Sequence, residues 1–384
     1  MIGVIADDLT GAAELGAMGL RHGLSAEIVV KGRPSGGADL VCMDTDSRSC
    51  VPEEAGRRAA DAAKLLHDAK ARWIYKKVDS VLRGQVTAEV ESVMIQLRLK
   101  RALLLPANPS LGRKIQDGQY FVQGRPINKT EFARDPEHPR TSSRVLQLLK
   151  PSQSMPIYVS NLRDSMPGAG IVVGEAATPQ DVQRWALIRD SRTLPAGGSE
   201  YFGALLMAEK KKAMSPATKV LPNGAIYRQL FVCGTSSQSS RKFVKAARER
   251  GTPVFSLPLE LMWKTEFTPG ATEVISQRVI AMFQSNSRVI LNVGLPPVRD
   301  TSVARRLSDH LVQIAQLVLR QVDVGHVYAE GGATAAELVR RMGWTRLSAL
   351  SEPAPGVATL AIEGNESRLL TVKPGTYAWP VKWT

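Results

Sequence analysis

The chain has 384 residues, 43% of them hydrophobic and 22% charged, and 50 lysines and arginines against 36 acidic residues set the formal net charge at +14. That apolar content can bury two cores and excludes a disordered chain. The basic balance would suit nucleic acid, but the cations are spread along the chain, densest at Lys210-Lys211-Lys212 and Arg241-Lys242, with no RNP-like strand, zinc finger or helix-turn-helix beside them; an enzyme that attracts anionic substrates is the favoured reading, with no nucleic-acid partner.

From the N-terminus, short apolar runs at 2–5, 26–30, 40–43, 73–76 and 102–105 are bounded by turn residues, and helical spacing fills 11–22, 52–71 and 87–97 between them. Runs at 156–160, 170–173 and 187–189 continue the rhythm, and a helix starts near Ser199. Alternation of this kind predicts a mostly parallel sheet covered by helices. Lys210-Lys211-Lys212, Ser215-Pro216 and Pro222-Asn223-Gly224 carry no apolar periodicity and predict a linker over 213–225. Beyond it the pattern restarts with a strand at 229–233, a helix at 240–250, an extended pair at 254–255, a strand at 288–293 and helices at 301–322 and 332–342. The expected fold class is α/β, with two domains at 1–212 and 226–384, each a mostly parallel sheet flanked by helices.

No run approaches the about 18 apolar residues of a membrane span, and Met1 leads directly into the 2–5 run and Asp7-Asp8, without the pattern of a signal peptide. Cys42, Cys50 and Cys233 show no CxxC spacing, which argues against a disulfide framework or a thiolate zinc site. The five histidines are isolated, so no protein metal site is expected. A cytoplasmic protein without a membrane partner is the expectation.

Chemistry-bearing residues cluster just past the apolar runs, where an open α/β sheet binds its ligands. Asp7 and Asp8 stand between a strand and the start of a helix; one of them can N-cap that helix, but capping does not explain the pair. Lys77, Asp79 and Arg83 fall within seven residues, where Arg83 can grip a carboxylate or phosphate with its planar fork or simply pair with Asp79. Turn residues around Gly112-Arg113, Asp117-Gly118 and Gln123-Gly124 flank Tyr120-Phe121-Val122 and predict a β-hairpin, and the polar 130–136 segment holds an embedded aromatic. In the second half, the stretches 234–240 and 330–336 each open a helix with small or hydroxyl residues, a pattern that binds anions at helix N-termini and also serves as ordinary capping. No GK dipeptide or GxGxxG fingerprint is present.

These segments resemble the four-carbon acid sugar kinases, which phosphorylate tetronates such as threonate, erythronate and their oxo forms with ATP. The family's ADDLTGA stands letter for letter at 6–12, its K-x-D-S-T-L-R-G at 77–84 with Val81 in place of threonine, its P-A-x-P-x-x-G-R at 106–113 and its T-E-F-A-R-D-P at 130–136. Gly198-Ser199 resembles the end of its substrate domain. The second half matches more loosely: G-S-x-S at Gly234-Thr235-Ser236-Ser237, G-G-D/E-T at Gly331-Gly332-Ala333-Thr334 with the acid replaced by Ala333, and K-x-G-x-F-G at Lys373-Pro374-Gly375-Thr376-Tyr377-Ala378 without its second glycine.

The resemblance implies a first domain that holds the sugar acid and a second that holds ATP. Lys77 and Arg83 would hold the substrate carboxylate or the transferring phosphoryl group, and Asp7, Ser80, Gly84, Asn108 and Arg113 would complete the sugar-acid site. Asp79 or Asp8 would deprotonate the terminal hydroxyl, with Asp79 slightly favoured because Lys77 and Arg83 share its turn. Ser237, Gly331, Gly332, Ala333, Thr334 and Gly375 would line the nucleotide phosphates, with Mg²⁺ bridging the β- and γ-oxygens. A homodimer is the expected assembly. The altered Ala333 and Ala378 keep open an alternative, a weakened family member that binds a sugar acid as a regulator.

Overall fold

In the computed structural model, residues 1–135, 137–152, 154–209, 228–262, 270–295, 300–380 and 383 are described, and the expected linker at 213–225 lies outside them. The chain divides into two compact units, Met1–Ala217 and Thr218–Thr384.

The first unit contains β1 (Ile2–Ala6), α1 (Leu9–Arg21), β2 (Ala26–Val29), β3 (Leu40–Asp44), α2 (Pro52–Asp68), β4 (Ile74–Lys77), α3 (Val86–Gln96) and β5 (Arg101–Leu105). It continues with β6 (Arg113–Gln116), β7 (Gln119–Val122), β8 (Arg125–Pro126), α4 (Val145–Leu148), β9 (Ile157–Ser160), β10 (Gly170–Gly174), α5 (Pro179–Leu187), β11 (Thr193–Gly197) and α6 (Ser199–Glu209). Eight strands form one parallel sheet in the order β2-β3-β1-β4-β11-β5-β10-β9. β1, β3 and β10 are buried along their whole length, as strands covered on both faces must be. The chain leaves β1 toward β2 and leaves β4 toward β5, so adjacent strands send their connections in opposite directions. A crevice opens at their carboxyl ends, where doubly wound sheets bind ligands.

The hairpin expected around Tyr120 is present as the antiparallel sheet β6-β7-β8. Both of its turns carry two successive residues in left-handed conformation, Asp117-Gly118 and Gln123-Gly124, which matches the twist of the strands they join. One expected strand is wrong. Residues 187–189 close α5 and enter a turn, and the strand lies later at Thr193–Gly197. Pro195 and Gly197 disfavour a strand locally, yet β11 pairs with β5 throughout and with β4 at Ala196 and Gly197 alone, so its proline sits beside a partly unpaired edge.

The second unit contains β12 (Arg228–Cys233), α7 (Gln238–Glu249), β13 (Val254–Ser256), α8 (Ala271–Met282), β14 (Arg288–Asn292), α9 (Thr301–Gln321), β15 (Val324–Glu330), α10 (Gly332–Met342), β16 (Arg346–Ala354), β17 (Val357–Ile362) and β18 (Asn365–Lys373). The order β13-β14-β12-β15-β18-β17-β16 is parallel through β18 and closes with an antiparallel meander. Its core joins Phe231, Phe243, Tyr328 and Trp379, with Phe231 and Tyr328 stacked at 4.1 Å. Here too the chain leaves β12 and β15 in opposite directions, and the crevice falls between their carboxyl ends.

Candidate active site

Asp7 and Asp8 follow β1, and both are held by Arg48, which lies in the loop after β3. Arg48 Nε and Nη2 donate to the two oxygens of Asp7 at 2.8 and 2.9 Å, and Nη1 donates to Asp8 Oδ2 at 2.8 Å. Asp8 also caps α1, accepting from Gly11 N at 2.9 Å and from Thr10 Oγ1 at 2.6 Å. Capping and ion pairing are thus the same carboxylate's work. Burial would raise the Asp7 carboxyl, but the charge and hydrogen bonds of Arg48, with Lys76 and Lys77 behind them, carry it below its usual range. Gly84 closes over this pair with φ of 85°; a Cβ there would meet Arg48 Cγ at 3.2 Å and Asp7 Oδ2 at 3.4 Å.

Asp79 follows β4 and organises the next loop. It accepts from Val81 N and Arg83 N at 3.1 Å each, from Arg83 Nε at 3.0 Å and from Arg83 Nη2 at 2.8 Å. Burial opposes ionisation, but Arg83 and Arg48 hold the carboxyl well below the usual range. Arg83 Nη1 reaches Asp135 in the 130–136 segment at 3.2 Å, which brings that segment to the site; Pro136 lies outside the described residues. Arg140 backs the same loop, donating to Leu82 O at 2.7 Å and His138 O at 2.8 Å, while His138 Nε2 lies 3.2 Å from Arg48 O. From the hairpin sheet, Arg113 donates to Ser80 Oγ and Tyr120 OH donates to Ser80 O.

Lys77, at the end of β4, donates to Val78 O at 3.0 Å and stands 3.5 Å from Glu14 Oε2. Behind it the side chain of Lys76 is fully buried, paired with Glu89 at 2.9 Å and donating to Lys77 O at 2.8 Å; Ser47 donates to the other Glu89 oxygen. The structure therefore brings Asp7, Asp8, Ser80, Asp79, Arg83, Gly84, Arg113 and Lys77 to neighbouring strand ends. Asn108 joins a different contact, donating to Ser199 Oγ at 3.3 Å. Sequence reasoning missed Arg48, Glu14, Lys76, Glu89 and Arg140. A lysine inside an apolar strand run was the available signal for Lys76; nothing local marks Arg48.

In the second unit, Ser237 caps α7, accepting from Ser240 N at 3.2 Å, and donates to Gly375 O at 2.7 Å. Gly331, with φ of 98°, begins α10 and donates to Lys373 O at 3.0 Å. Gly332 and Ala333 open that helix beside it. Thr334 lies below the turn rather than on it: its hydroxyl stands 3.2 Å from Ser308 Oγ, and a Cβ on Gly234 would come within 1.8 Å of it. Hydrogen bonds thus tie Ser237 to Gly375 and Gly331 to the strand end that precedes Gly375, Gly332 and Ala333 follow at the start of α10, and Thr334 is packed beneath. Glu330 and Lys373, paired at 2.8 Å, had gone unassigned. Among the described residues no group of three or more His, Cys, Asp or Glu side chains forms a metal cluster, and no helix is long and apolar enough to cross a membrane.

Residues 2–199 match the model of a sugar-binding N-terminal domain and residues 230–377 that of a nucleotide-binding C-terminal domain. A D-threonate kinase from Salmonella typhimurium is 25% identical, covering 92% of this chain and 89% of its own length. A D-erythronate kinase from Heliobacterium modesticaldum is 24% identical (92% and 88%), and a 3-oxo-tetronate kinase from Methylobacterium radiotolerans is 24% identical (98% and 96%). The crystal structure of a Haemophilus influenzae protein has the same fold, with a TM-score of 0.72 at 22% identity over 98% of this chain and 97% of that one. With both domain models matched in order and strand-end clusters in each unit, the chain belongs to the four-carbon acid sugar kinase family.

Proposed function

We propose that this protein is an ATP-dependent kinase that phosphorylates the terminal hydroxyl of a four-carbon sugar acid of the threonate, erythronate or oxo-tetronate kind. The observation that carries this reading is the gathering of Asp7, Asp8, Lys77, Asp79, Arg83 and Arg113 at the strand ends of a unit matched as sugar-binding. Phosphoryl transfer asks for positioning and charge stabilisation more than for covalent chemistry.

Charge pairing supports one division of roles. Arg48 faces two carboxylates, Asp7 and Asp8, and Arg83 faces two, Asp79 and Asp135. Both are already neutralised and serve to orient the loops. Arg113 has a hydroxyl partner, Ser80, and no carboxylate partner among the described residues, so we assign it to the substrate carboxylate, with Ser80 and Gly84 lining the site. Lys77, with one carboxylate neighbour at 3.5 Å, is assigned to the transferring phosphoryl group. Asp79 was the favoured base on sequence; four N–H donors and a depressed pKa make it a poor proton acceptor. We therefore assign the hydroxyl's proton to Asp8.

Ser237, Gly331, Gly332, Ala333 and Gly375 would surround the nucleotide phosphates. Mg²⁺ would enter with ATP: a hydroxyl-rich turn suits an ion that keeps phosphate and water ligands. A cytoplasmic location suits the three free thiols, Cys42, Cys50 and Cys233. The test is ADP release with Mg·ATP across D- and L-threonate, D- and L-erythronate and their 3-oxo forms. Turnover with at least one is expected. Nucleotide binding without turnover on any would overturn the kinase reading in favour of a sugar-acid-binding regulator.

A further inference from the structure

We infer that Glu330 and Lys373 are positioning residues for the nucleotide, a buried ion pair that holds the 374–377 loop against the start of α7. The inference rests on the reading of the second unit as the nucleotide site.

The two residues stand opposite each other at the last registered pair of β15 and β18. Both side chains are wholly buried, and Lys373 Nζ donates to Glu330 Oε1 at 2.8 Å. The same ammonium donates to Tyr377 O at 2.7 Å and to Pro374 O at 3.3 Å, so it ties down both ends of the loop that contains Gly375. The other Glu330 oxygen accepts from Ser240 Oγ at 3.1 Å, in the first turn of α7. Gly375 O in turn accepts from Ser237 Oγ, the cap of that helix, and Ser239 Oγ reaches Thr376 O at 3.3 Å. One ion pair thereby joins the β18 loop, the α7 N-terminus and, through Gly331 N on Lys373 O, the start of α10.

Strand pairing alone does not call for this arrangement. Taking two charges out of water is costly, and an apolar pair of similar volume would hold adjacent strands at least as well. An apolar pair could not donate to two loop carbonyls while accepting from a hydroxyl in the first turn of α7. The arrangement makes sense if the position of the loop relative to the helix N-terminus is what matters, because backbone N–H groups at that terminus are the anion-binding element.

The test uses the full-length chain. Single loss of Lys373 would strand a buried carboxylate, so the informative variant is Glu330→Gln with Lys373→Met, which leaves no buried charge. The expected result is a cooperatively folding protein whose KM for ATP rises about tenfold or more while the KM for the sugar acid stays within about twofold, a split that separates nucleotide positioning from general loosening. The increase in melting temperature caused by ADP alone should shrink in parallel. Should that variant fail to fold, Glu330→Gln alone keeps the ammonium but removes its counter-charge, leaving the buried Cys233 as the other titratable group beside it, and its KM for ATP should climb with rising pH more steeply than the wild type's. An unchanged KM for ATP and ADP-induced shift in the folded double variant, an equal rise in both KM values, or a flat profile in the single variant would each overturn the inference. Wild-type protein that turns over no tetronate would instead count against the kinase reading, and the ADP shift would still test the pair.

Discussion

Arg48 clasps Asp7 with two nitrogens and reaches Asp8 with a third, tying the loop after β3 to both carboxylates after β1. Asp7 is almost wholly buried, so its charge depends on that clasp. Arg48→Ala should destabilise the first unit by about 3–5 kcal/mol, the cost of leaving one buried partner unpaired. Arg48→Lys cannot reproduce the planar fork and should also lose kcat. Urea unfolding and steady-state kinetics on both variants check this; near-wild-type values for Arg48→Lys would show that the fork is not needed.

Asp79 and Arg83 form the second clasp, and their charges depend on each other. Arg83→Ala should cost stability by about 2–4 kcal/mol, with part of the loss recovered when Asp79→Asn is added, because the second change removes the orphaned charge. A double-mutant cycle measures that coupling. Additive losses would mean the pair acts on the fold independently.

The depressed pKa of Asp79 also sets a pH dependence. A carboxyl whose folded pKa lies below its unfolded value contributes stability above the unfolded value, about 3.9, and loses it as pH falls toward the folded one. The stability gap between wild type and Asp79→Asn should therefore be constant above about pH 5 and narrow below about pH 4. A gap that widens on acidification would reverse the assignment.

His326 carries the opposite kind of signal in the second unit. It sits between Thr371 Oγ1 at 2.8 Å and Tyr328 OH at 3.1 Å, and burial pushes its pKa down to about 4. The unfolded chain binds the proton near pH 6.5, so stability should fall as pH drops from about 6.5 toward 4, by up to roughly 3 kcal/mol. His326→Gln keeps a donor and an acceptor without titrating and should flatten that slope. Denaturant unfolding of both proteins at pH 7.5 and pH 5 makes the comparison.

Arg113 is the cation assigned to the substrate carboxylate. Arg113→Gln should raise the KM for the sugar acid about ten- to hundredfold, or about 1.4–2.7 kcal/mol, while leaving weak activity on the uncharged four-carbon polyol unaffected. Equal losses on both substrates would place Arg113 elsewhere in the chemistry.

The four polar segments of the first half were legible in the sequence because each is continuous: 6–12 and 76–84 run from a strand toward a helix start, 106–113 joins β5 to β6, and 130–135 holds one short 3₁₀ turn. The same locality made most strands and helices readable, and its limits explain the misses. Thr193–Gly197 holds a proline and a glycine that disfavour a strand locally, and pairing with β5 and β4 makes it one. The C-terminal meander β16-β17-β18 is likewise a matter of cross-strand pairing. What tertiary structure decided is which charges meet. Arg48 lies about 40 residues from Asp7, Glu330 is 43 from Lys373, and Arg83 is 52 from Asp135. Chain order carries no distance information across such gaps; parallel crossovers bring those strand ends together, and burial then forces each charge to find a partner. Sequence alone thus determined the family and the α/β class, while the three-dimensional pairing of charges decided which of the strand-end residues are neutralised and which, like Arg113, have no acid to hold among the described residues.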